Sequence, residues 1–483
     1  MTISRRKFLG AAGAGLAAAS LAPLIRTRRA HAGGEFQTRR VVVLAIAGGV
    51  RLSESLGMAQ GATMPNLFGD IPLIPGFGAG PAGPVNVAPE YAAVRPPVVV
   101  PTPLSTPLYE QGALITNLRY AEGAPGHLQG HACLVSGFYN NLENRSDARL
   151  PVPTIFEIHR RETNAPATDA WYLSVPGGFY RALQSSDNPS FGSRFGGSYM
   201  SPPGVMSAIV PLVTSGKREL NLTTGSPFEL PAIPDRPAEA AAVRRLAGIL
   251  DGNAPQYAFD NAVVRATEGD NAAFQDHVAQ FYADTTYQSF LPDSVGIGYS
   301  DGDGGVNGPA DMLTVYHAER VLETFQPAVT VVSLLDVDTC HADFNGYLRA
   351  QQVADAAVRH LWEFIQSTDG LRDETTLIVM PEHGRHLFFN GQNPDSLGRS
   401  GLDHGEGDNG DRDVWMLALG PDIKPGTVVA PTGITQAGRI SGRYETIDAI
   451  MLASTLLGHG DVMTGALEDH GARPGLVIEE VLA

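Results

Sequence analysis

Val329–Leu335 (VTVVSLL) is followed directly by Asp336–His341 (DVDTCH), and this pair of segments decides the fold class. The first segment is β-branched or aliphatic at every position except one serine, which is typical of a strand buried on both faces of a sheet. The second carries two carboxylates, a thiol and an imidazole, side chains that bind metal ions or transfer protons. Together they predict a buried parallel strand with a functional site at its carboxyl end.

Other apolar runs repeat the pattern of this strand. They are Val41–Ile46 (VVVLAI), Thr375–Met380 (TTLIVM) and Val414–Leu419 (VWMLAL), with shorter strand candidates at Ala113–Asn117 and Trp171–Val175. Apolar residues at helical spacing predict helices over about 348–366 and 446–457. Strands that alternate with helices predict an α/β fold, in which a mostly parallel sheet is flanked by helices.

The stretch from about residue 180 to 325 has a different composition. Loops rich in proline and glycine are followed there by alanine-rich segments, Ala238–Leu250 and Asn271–Tyr282, which predict helices. We therefore predict a single domain over residues 33–483 with a helical insertion at about 180–325.

The first 32 residues contain six basic side chains and no acidic one. Ser4–Leu9 (SRRKFL) resembles a twin-arginine export motif, Gly10–Ile25 is apolar, and Ala30–Ala32 (AHA) fits a small-residue cleavage site. The apolar stretch is short for a membrane-spanning helix of about 20 residues. We expect residues 1–32 to be a signal peptide and the rest of the chain to be periplasmic or extracellular, without a stable membrane span.

The charge of the chain excludes two classes of function. Its 483 residues include 34 Lys+Arg and 51 Asp+Glu, a net charge of −17, and loss of the six basic residues of the leader takes the charge to −23. Nucleic-acid binding needs a basic surface that releases counterions, which so acidic a chain lacks. None of the three lysines lies in a G-x-x-x-x-G-K-[ST] motif, which excludes P-loop phosphate binding.

Histidines and carboxylates gather after the predicted strands and in glycine-flanked loops. They are Asp336, Asp338 and His341 after Leu335, Glu382, His383 and Arg385 after Met380, His404 in GLDHG, and His127 and His131 in GHLQGH. Sites in open α/β sheets form at the carboxyl ends of strands, so these segments are expected to converge. A lone loop histidine would more simply bond to backbone, but four such clusters predict a metal site. Carboxylates with imidazoles suit zinc, manganese or iron better than magnesium.

The order and spacing of these pieces resemble the alkaline phosphatase/sulfatase superfamily, above all its sulfatase-like members that are exported by the twin-arginine route. The segments that carry the resemblance are VVVLAIAGG (41–49), TPLYEQGALITNLRYAEGAPGHLQGHACLVSG (106–137), DVDTCHADFNGYL (336–348), TTLIVMPEHGR (375–385), GLDHG (401–405), VWMLALGP (414–421) and RYETIDAIMLASTLLG (443–458). The resemblance implies an alkaline phosphatase-like fold and a metal-dependent hydrolase of a phosphate or sulfate ester. It also implies one or two divalent ions, zinc, manganese or calcium, and an anionic small-molecule ester as the partner.

Carried over position by position, the resemblance implies a ligand set for each ion. The ligands of the first ion would be His341, His404 and either Asp336 or Asp338, because the spacing leaves the choice of aspartate open. Glu382 and His383 match the pair that holds the second ion, with Glu in place of the usual Asp. Two neighbouring ions stabilise the attacking and leaving oxygens of an in-line displacement.

Two positions depart from the family pattern. The family's first strand ends in a metal-binding Asp where this chain has Gly48, and His127 stands where the family has its Ser, Thr or Cys nucleophile. His127 and His131 are four residues apart, so on a helix they would share one face. They are predicted either as additional ligands or as catalytic residues, with His127 as nucleophile or base. Arg385 is predicted to attract the ester, which the acidic body would repel.

The same departures leave a second hypothesis open. The protein could be a catalytically degenerate metal-binding protein of the periplasm or surface, with a structural or partner-binding role.

Cys133 and Cys340 are the two cysteines of the chain. Cys133 closely follows His131 and Cys340 directly precedes His341, so the resemblance would put both near the site. In an oxidising compartment a disulfide between them is one hypothesis, and two small buried core residues are the other.

Overall fold

The strands of the protein form the centre of the computed structural model. The chain is described over residues 36–56, 64–69, 103–140, 149–174, 181–191, 195–200, 228–229, 299–300, 306–307, 310–341, 344–386, 402–405, 409–429 and 444–483. The strands are β1 (Arg40–Ile46), β2 (Ala113–Arg119), β3 (Ala170–Ser174), β4 (Ser198–Met200), β5 (Phe228–Glu229), β6 (Tyr299–Ser300), β7 (Val306–Asn307), β8 (Val329–Leu334), β9 (Thr375–Pro381), β10 (Asp413–Leu419) and β11 (Thr427–Val429).

Nine of these strands form one mixed sheet, in the order β11-β2-β10-β9-β1-β8-β3-β4-β5. Neighbouring strands are parallel except that β10 is antiparallel to both β2 and β9, and β5 is antiparallel to β4. The prediction of a mostly parallel sheet is confirmed. Because β10 runs against its neighbours, its amino end lies at the edge of the sheet where β9 and β1 have their carboxyl ends.

Helices cover the sheet, and the described ones are short apart from two. They are α1 (Leu52–Ser55), α2 (Pro65–Phe68), α3 (Leu108–Gln111), α4 (His127–Ser136), α5 (Ile155–Thr163), α6 (Ala310–Phe325), α7 (Phe344–Ser367), α8 (Asn409–Arg412), α9 (Asp448–Leu456) and α10 (Gly460–Glu468). Within the described residues, no helix has both the length and the apolar character that a membrane crossing requires. The predicted helices at 348–366 and 446–457 are present as α7 and α9.

The two faces of the sheet pack against different helices. Along β1, Val42 and Leu44 join the apolar cluster that includes α6 and α7, whereas Val41 and Val43 join the cluster that includes α4, α5, α9 and α10. Every residue of β1 is buried. Burial on both faces explains why the central strands are unbroken apolar runs, and it confirms the predicted α/β fold with helices on both faces.

Several predictions from the sequence concern residues that the structure does not describe. The signal peptide (1–32) and the helices Ala238–Leu250 and Asn271–Tyr282 lie outside the described residues. At the two ends of the predicted insertion, β4 pairs with β3 and α6 packs in the core with α7. β5, between them in the chain, also belongs to the nine-stranded sheet. The helical insertion stays a prediction.

A turn of two glycines ends β1 and lets the neighbouring strand ends approach. Gly48 and Gly49 have φ angles of +98° and +79°, in the region that favours glycine. A Cβ atom on Gly48 would lie 2.5 Å from the backbone nitrogen of Asp338, and one on Gly49 would lie 2.4 Å from the carbonyl oxygen of Gly384. A side chain at Gly48 would therefore require the backbone of Asp338 to move.

Gly48→Ala is expected to lower the free energy of unfolding by about 3 kcal/mol or more, because positive-φ strain adds to overlap with the Asp338 backbone. Gly471→Ala is a matched control, since Gly471 has a φ of +68° but no atom within 4 Å of the added Cβ. The control should cost only about 1 kcal/mol. Urea unfolding followed by circular dichroism measures both, and equal losses would contradict the close approach at Gly48.

Candidate metal centre

The carboxyl ends of β9, β1 and β8 carry a cluster of charged and imidazole side chains. β8 runs into a 3-10 turn, Asp336–His341, and β9 runs into the segment 382–386. The first turn of α4, which begins at His127, and the loop 402–405, which contains His404, reach the same edge. The predicted site segments therefore converge.

Four side chains form a set that we term the outer group: His127, Asp338, His341 and His404. One donor atom of each lies within 4.8 Å of those of the other three, and all four residues are partly buried. Asp338 Oδ1 is 3.3 Å from His127 Nε2 and 3.2 Å from His341 Nε2. The outer group thus gathers three imidazoles around one carboxylate at a position that solvent reaches.

Among the residues of the outer group, the surroundings of His404 give the strongest evidence for a bound cation. Both of its ring nitrogens are buried, and neither has a hydrogen-bond partner within the described residues. Its ring centroid lies 4.3 Å from that of His383, 4.6 Å from that of His127 and 4.9 Å from that of His341. Burial and the neighbouring positive charges lower the pKa of His404, so the ring is neutral and has a lone pair to donate.

Three side chains form a second set, which we term the inner group: His127, Glu382 and His383. Glu382 Oε1 lies 2.6 Å from His127 Nδ1 and 3.2 Å from His383 Nε2. His383 Nε2 is 3.4 Å from His127 Nδ1. Glu382 and His383 are fully buried, so the inner group faces the protein and His127 stands between the two groups.

The buried charge of Glu382 is compensated by hydrogen bonds at Oε1 and by the nearby His131 at Oε2, although Oε2 has no hydrogen-bond partner within the described residues. The backbone N–H of Gly48 donates to Oε1 at 2.7 Å, beside His127, and His131 Nδ1 contacts Oε2. Burial alone would raise the pKa of Glu382, but His131, His127 and His383 outweigh it and hold the pKa well below its usual range. The carboxylate is therefore ionised.

The flanking carboxylates favour the protonated form of His127. Burial lowers its pKa, but Glu382 and Asp338 outweigh burial and raise the pKa of His127 to about 10. A metal ion at this ring would have to displace a proton. Burial lowers the pKa of His383, whose Nδ1 donates to the carbonyl oxygen of Gly384 at 2.7 Å. The Nε2 atom of His383 therefore carries a lone pair.

His131 holds Glu382 and belongs to neither group. Its Nδ1 contacts Glu382 Oε2 and lies 2.8 Å from the carbonyl oxygen of His127, so two acceptors compete for one proton. Its Nε2 is 2.8 Å from Ser333 Oγ. These contacts favour a positioning role, and the catalytic role expected from the sequence stays a prediction.

Arg385 is fully buried, and its guanidinium bonds to other groups of the protein. Its Nη2 bonds Asp338 Oδ1, its Nε donates to the carbonyl oxygen of Gly48, and its Nη1 donates to the carbonyl oxygen of Leu402 at 2.9 Å. The guanidinium thus fixes the carboxylate of Asp338 beside the outer group. This arrangement favours a positioning role, while direct contact with substrate stays a prediction.

The structure separates the two aspartates that the sequence left as alternatives. Asp338 belongs to the outer group, whereas Asp336 is in neither group. Asp336 Oδ2 instead accepts a hydrogen bond from the backbone N–H of Asp311 at 3.1 Å, at the start of α6. The 3-10 turn therefore brings Asp338, and not Asp336, to the cluster.

Two contributors to the site, Gly130 and Ser333, went unrecognised in the sequence, and Asp403 was expected there only as part of the GLDHG segment. A Cβ on Gly130 would lie 2.8 Å from Glu382 Cβ, so this glycine lets α4 approach β9. Asp403 Oδ1 lies 3.3 Å from His341 Nδ1, and Ser333 contacts His131 from within β8. The position of Gly130 between the two histidines of GHLQGH is the one sequence feature that could have indicated its role. Nothing in the sequence distinguishes Ser333 from any other serine in a strand.

The two cysteines do not pair. Neither Cys133 nor Cys340 forms a disulfide, and both are fully buried. Cys133 packs with Tyr120 and Ile447, whereas Cys340 belongs to the separate cluster of α6 and α7. Burial raises the pKa of the Cys133 thiol to about 12. The disulfide hypothesis is wrong in this structure, and the hypothesis of buried core residues is confirmed.

The donors of the outer group fit a divalent ion of borderline softness. Three imidazole nitrogens and one carboxylate oxygen match four-coordinate zinc, and manganese prefers more oxygen ligands. Calcium takes six to eight oxygen ligands, which this group does not offer. The buried lone pair of His404, without a partner among the described residues, supports an ion at this position.

Comparisons with known proteins give structural matches alone. No model of a protein family and no curated protein matches the sequence. Among solved structures, one similar protein is a member of the alkaline phosphatase superfamily from Vibrio parahaemolyticus, at 11% identity and a TM-score of 0.39 over 88% of this chain and 68% of that chain. The alkaline phosphatase of the Antarctic bacterium TAB5 is similar at 12% identity and a TM-score of 0.37, over 88% and 99%. The sulfatase PsFucS1 from Pseudoalteromonas sp. is similar at 10% identity and a TM-score of 0.36, over 88% and 68%.

The solved structures that are similar to this chain thus include a member of the superfamily that the sequence motifs resemble. At TM-scores below 0.5 these matches carry no argument about activity. The function therefore has to be argued from the geometry of the site.

Zinc is expected to raise the thermal stability of the protein. An ion at 1,000 times its Kd adds about 4 kcal/mol to the free energy of unfolding, or roughly 5–10 °C in Tm. Calorimetry with a chelator and then with zinc chloride measures the shift. His404→Ala should lose most of it, whereas His470→Ala, at an exposed residue after α10, should keep it. Equal shifts in the two variants would contradict the assignment of the site.

Proposed function

We propose that this chain is an exported, metal-dependent hydrolase of a phosphate or sulfate ester. The proposal rests on His404, whose two buried ring nitrogens have no partner within the described residues while three other imidazoles surround it. Unpaired lone pairs at the carboxyl edge of an α/β sheet are suited to hold a cation. A cation open to solvent is in turn suited to bind an anionic ester.

The substrate would approach from the side of Asp338, His341 and Asp403. Their side chains are 29%, 40% and 45% exposed, whereas those of Glu382 and His383 are fully buried. Exposure therefore falls from one side of the cluster to the other. The outer group is the part of the centre that a dissolved ester can reach without movement of the backbone.

A bound divalent ion would place positive charge next to the ester oxygens, where negative charge builds up during hydrolysis. The residues of the chain would hold that charge in a fixed position. Asp338, His341 and His404 supply the donor atoms, and the buried guanidinium of Arg385 orients the carboxylate of Asp338. Asp403, 3.3 Å from His341 Nδ1, orients the ring of His341.

The acidity of the chain also supports a role for a cation. A net charge of −17, or −23 without the leader, repels anions at long range. Arg385 is already engaged with Asp338 and with backbone carbonyls. An ion in the outer group would supply positive charge for an anionic ester that Arg385 does not offer.

The position of His127 favours a second candidate function. The family resemblance implies a nucleophile there, but both ring nitrogens face carboxylates, with Glu382 at 2.6 Å and Asp338 at 3.3 Å. A ring held in this way is poorly placed to attack an ester, so in the hydrolase water would be the nucleophile. The alternative is a metal-binding protein of the periplasm or surface with a structural or partner-binding role.

The hydrolase proposal predicts metal-dependent turnover of a simple ester. Protein loaded with zinc or manganese is expected to hydrolyse an aryl phosphate, an aryl phosphodiester or an aryl sulfate. His404→Ala is expected to lower kcat/KM by about 100- to 1,000-fold, because charge stabilisation at the ester is lost. His470→Ala should keep full activity.

Two other outcomes of the assay would reject either the hydrolase or the proposed site. Full metal occupancy without turnover of any of the three esters would reject the hydrolase and favour the metal-binding alternative. Equal turnover in His404→Ala and His470→Ala would reject the proposed site.

Export by the twin-arginine route belongs to the proposal and is supported by the motif that contains Arg5 and Arg6. Replacing both arginines by lysine keeps the charge and removes the motif. In a host with this export route, the double variant is expected to accumulate in the cytoplasm with its leader uncut. Cell fractionation and intact-mass measurement check this, and a normally exported double variant would contradict the route.

A further inference from the structure

We propose that the centre holds a single ion, in the outer group, and that Glu382 and His383 position His127 instead of binding a second ion. This inference rests on the proposed metal centre and specifies how many ions that centre holds. It is carried by the donor distances, by the hydrogen bond between Glu382 and His127, and by the balance of charge at the centre.

One distance distinguishes the inner group from the outer group. Glu382 Oε1–His383 Nε2 at 3.2 Å and His383 Nε2–His127 Nδ1 at 3.4 Å have the same spacing as the outer group, whereas the distance between Glu382 and His127 does not. Donor atoms bound to one tetrahedral ion at about 2.0–2.1 Å lie about 3.3–3.4 Å from each other. Asp338 Oδ1 has this spacing in the outer group, at 3.3 Å from His127 Nε2 and 3.2 Å from His341 Nε2. Glu382 Oε1 and His127 Nδ1 in the inner group are only 2.6 Å apart. That separation is typical of a strong hydrogen bond and too short for two ligands of one such ion.

A proton on His127 Nδ1 already connects the inner group. Glu382 Oε1 at 2.6 Å and His383 Nε2 at 3.4 Å both face this nitrogen. Both atoms are acceptors, because His383 Nδ1 donates its hydrogen to the Gly384 carbonyl oxygen. The three atoms can therefore converge only if His127 Nδ1 is the donor. This hydrogen bond fixes the direction of the His127 ring and turns its Nε2 atom to Asp338 Oδ1.

Glu382 and Asp403 stand in the same relation to two histidines. Glu382 faces Nδ1 of His127, and Asp403 faces Nδ1 of His341 at 3.3 Å. In both rings Nε2 points to Asp338 Oδ1. A carboxylate that accepts the hydrogen of one ring nitrogen fixes the tautomer and leaves the other nitrogen free to bind metal. The two carboxylate–histidine pairs thus direct both Nε2 atoms at one place, the outer group.

The charges at the centre balance one divalent ion better than two. Asp338 and Glu382 carry two negative charges and Arg385 carries one positive charge, with the histidines neutral once metal is bound. Asp403, 3.3 Å from His341 Nδ1, adds a third negative charge. Counting these four residues, one divalent ion gives a net charge of zero, and two ions give plus two. A second ion would therefore add uncompensated positive charge beside the fully buried Glu382 and His383.

The number and position of bound zinc ions test the inference. The full-length protein is stripped with a chelator and titrated with zinc chloride, and bound zinc is counted by elemental analysis against protein concentration. One zinc per chain is expected for the wild type, for Glu382→Gln and for His383→Gln, and none for His404→Ala. Circular dichroism confirms that each variant is folded.

Glu382→Gln is expected to bind zinc about 10- to 100-fold more weakly than the wild type, because an amide orients His127 less strongly. Cobalt in place of zinc gives a visible absorption spectrum that reports the geometry of the ligands, and the spectrum is expected to change in Glu382→Gln. Glu374→Gln is the matched control, since Glu374 pairs with Arg40 away from the cluster. Its zinc affinity and cobalt spectrum should equal those of the wild type.

The outcomes separate this inference from the proposed function. Two zinc ions per wild-type chain would overturn the single-ion centre and leave the metal-dependent hydrolase standing. No bound ion, either with zinc or in the same titration with manganese chloride, would overturn both. A single zinc that His404→Ala keeps and Glu382→Gln or His383→Gln loses would put the ion in the inner group and overturn the inference. The wild-type count alone separates one ion from two, whether or not a variant folds.

Discussion

The arrangement of the centre depends on one buried carboxylate, Glu382, at the end of the central strand β9. A carboxylate removed from water costs several kcal/mol unless its oxygens are paired. The turn after β1 pairs it through the N–H of Gly48, and α4 pairs it through His127 and His131. Gly130 lets α4 come close enough for these contacts. The need to compensate this charge thus fixes the position of α4 and the direction of the His127 ring.

The parallel arrangement of β1, β8 and β9 brings the other residues of the site to Glu382. β8 and β9 flank β1 in parallel register, so the residues after all three strands meet at one edge. β8 delivers Asp338 and His341, and β9 delivers Glu382 and the buried Arg385 that orients Asp338. Compensated charges lie on the protein side and the donors of the outer group on the solvent side. Buried residues therefore hold the donors of the outer group in place, while the donors themselves stay accessible to solvent.

Much of this arrangement follows from the sequence alone. A strand buried on both faces leaves an unbroken apolar run, and the polar residues after such runs identify the segments that converge. The direction of β10 could not be predicted, because an apolar run reads the same for either direction. The choice between Asp336 and Asp338 depends on the path of a 3-10 turn, and the role of Gly48 depends on the backbone of Asp338 pressing against it. Those features belong to tertiary packing, which no single segment encodes.

The central claim is that the histidine cluster at this edge of the sheet is a metal centre. Diffraction at the zinc absorption edge, from crystals of the protein grown with zinc, tests it most directly. The account predicts an anomalous peak about 2.0–2.2 Å from Asp338 Oδ1 and from the ring nitrogens of His341 and His404. A crystal that contains zinc but shows no peak among these three side chains would contradict it.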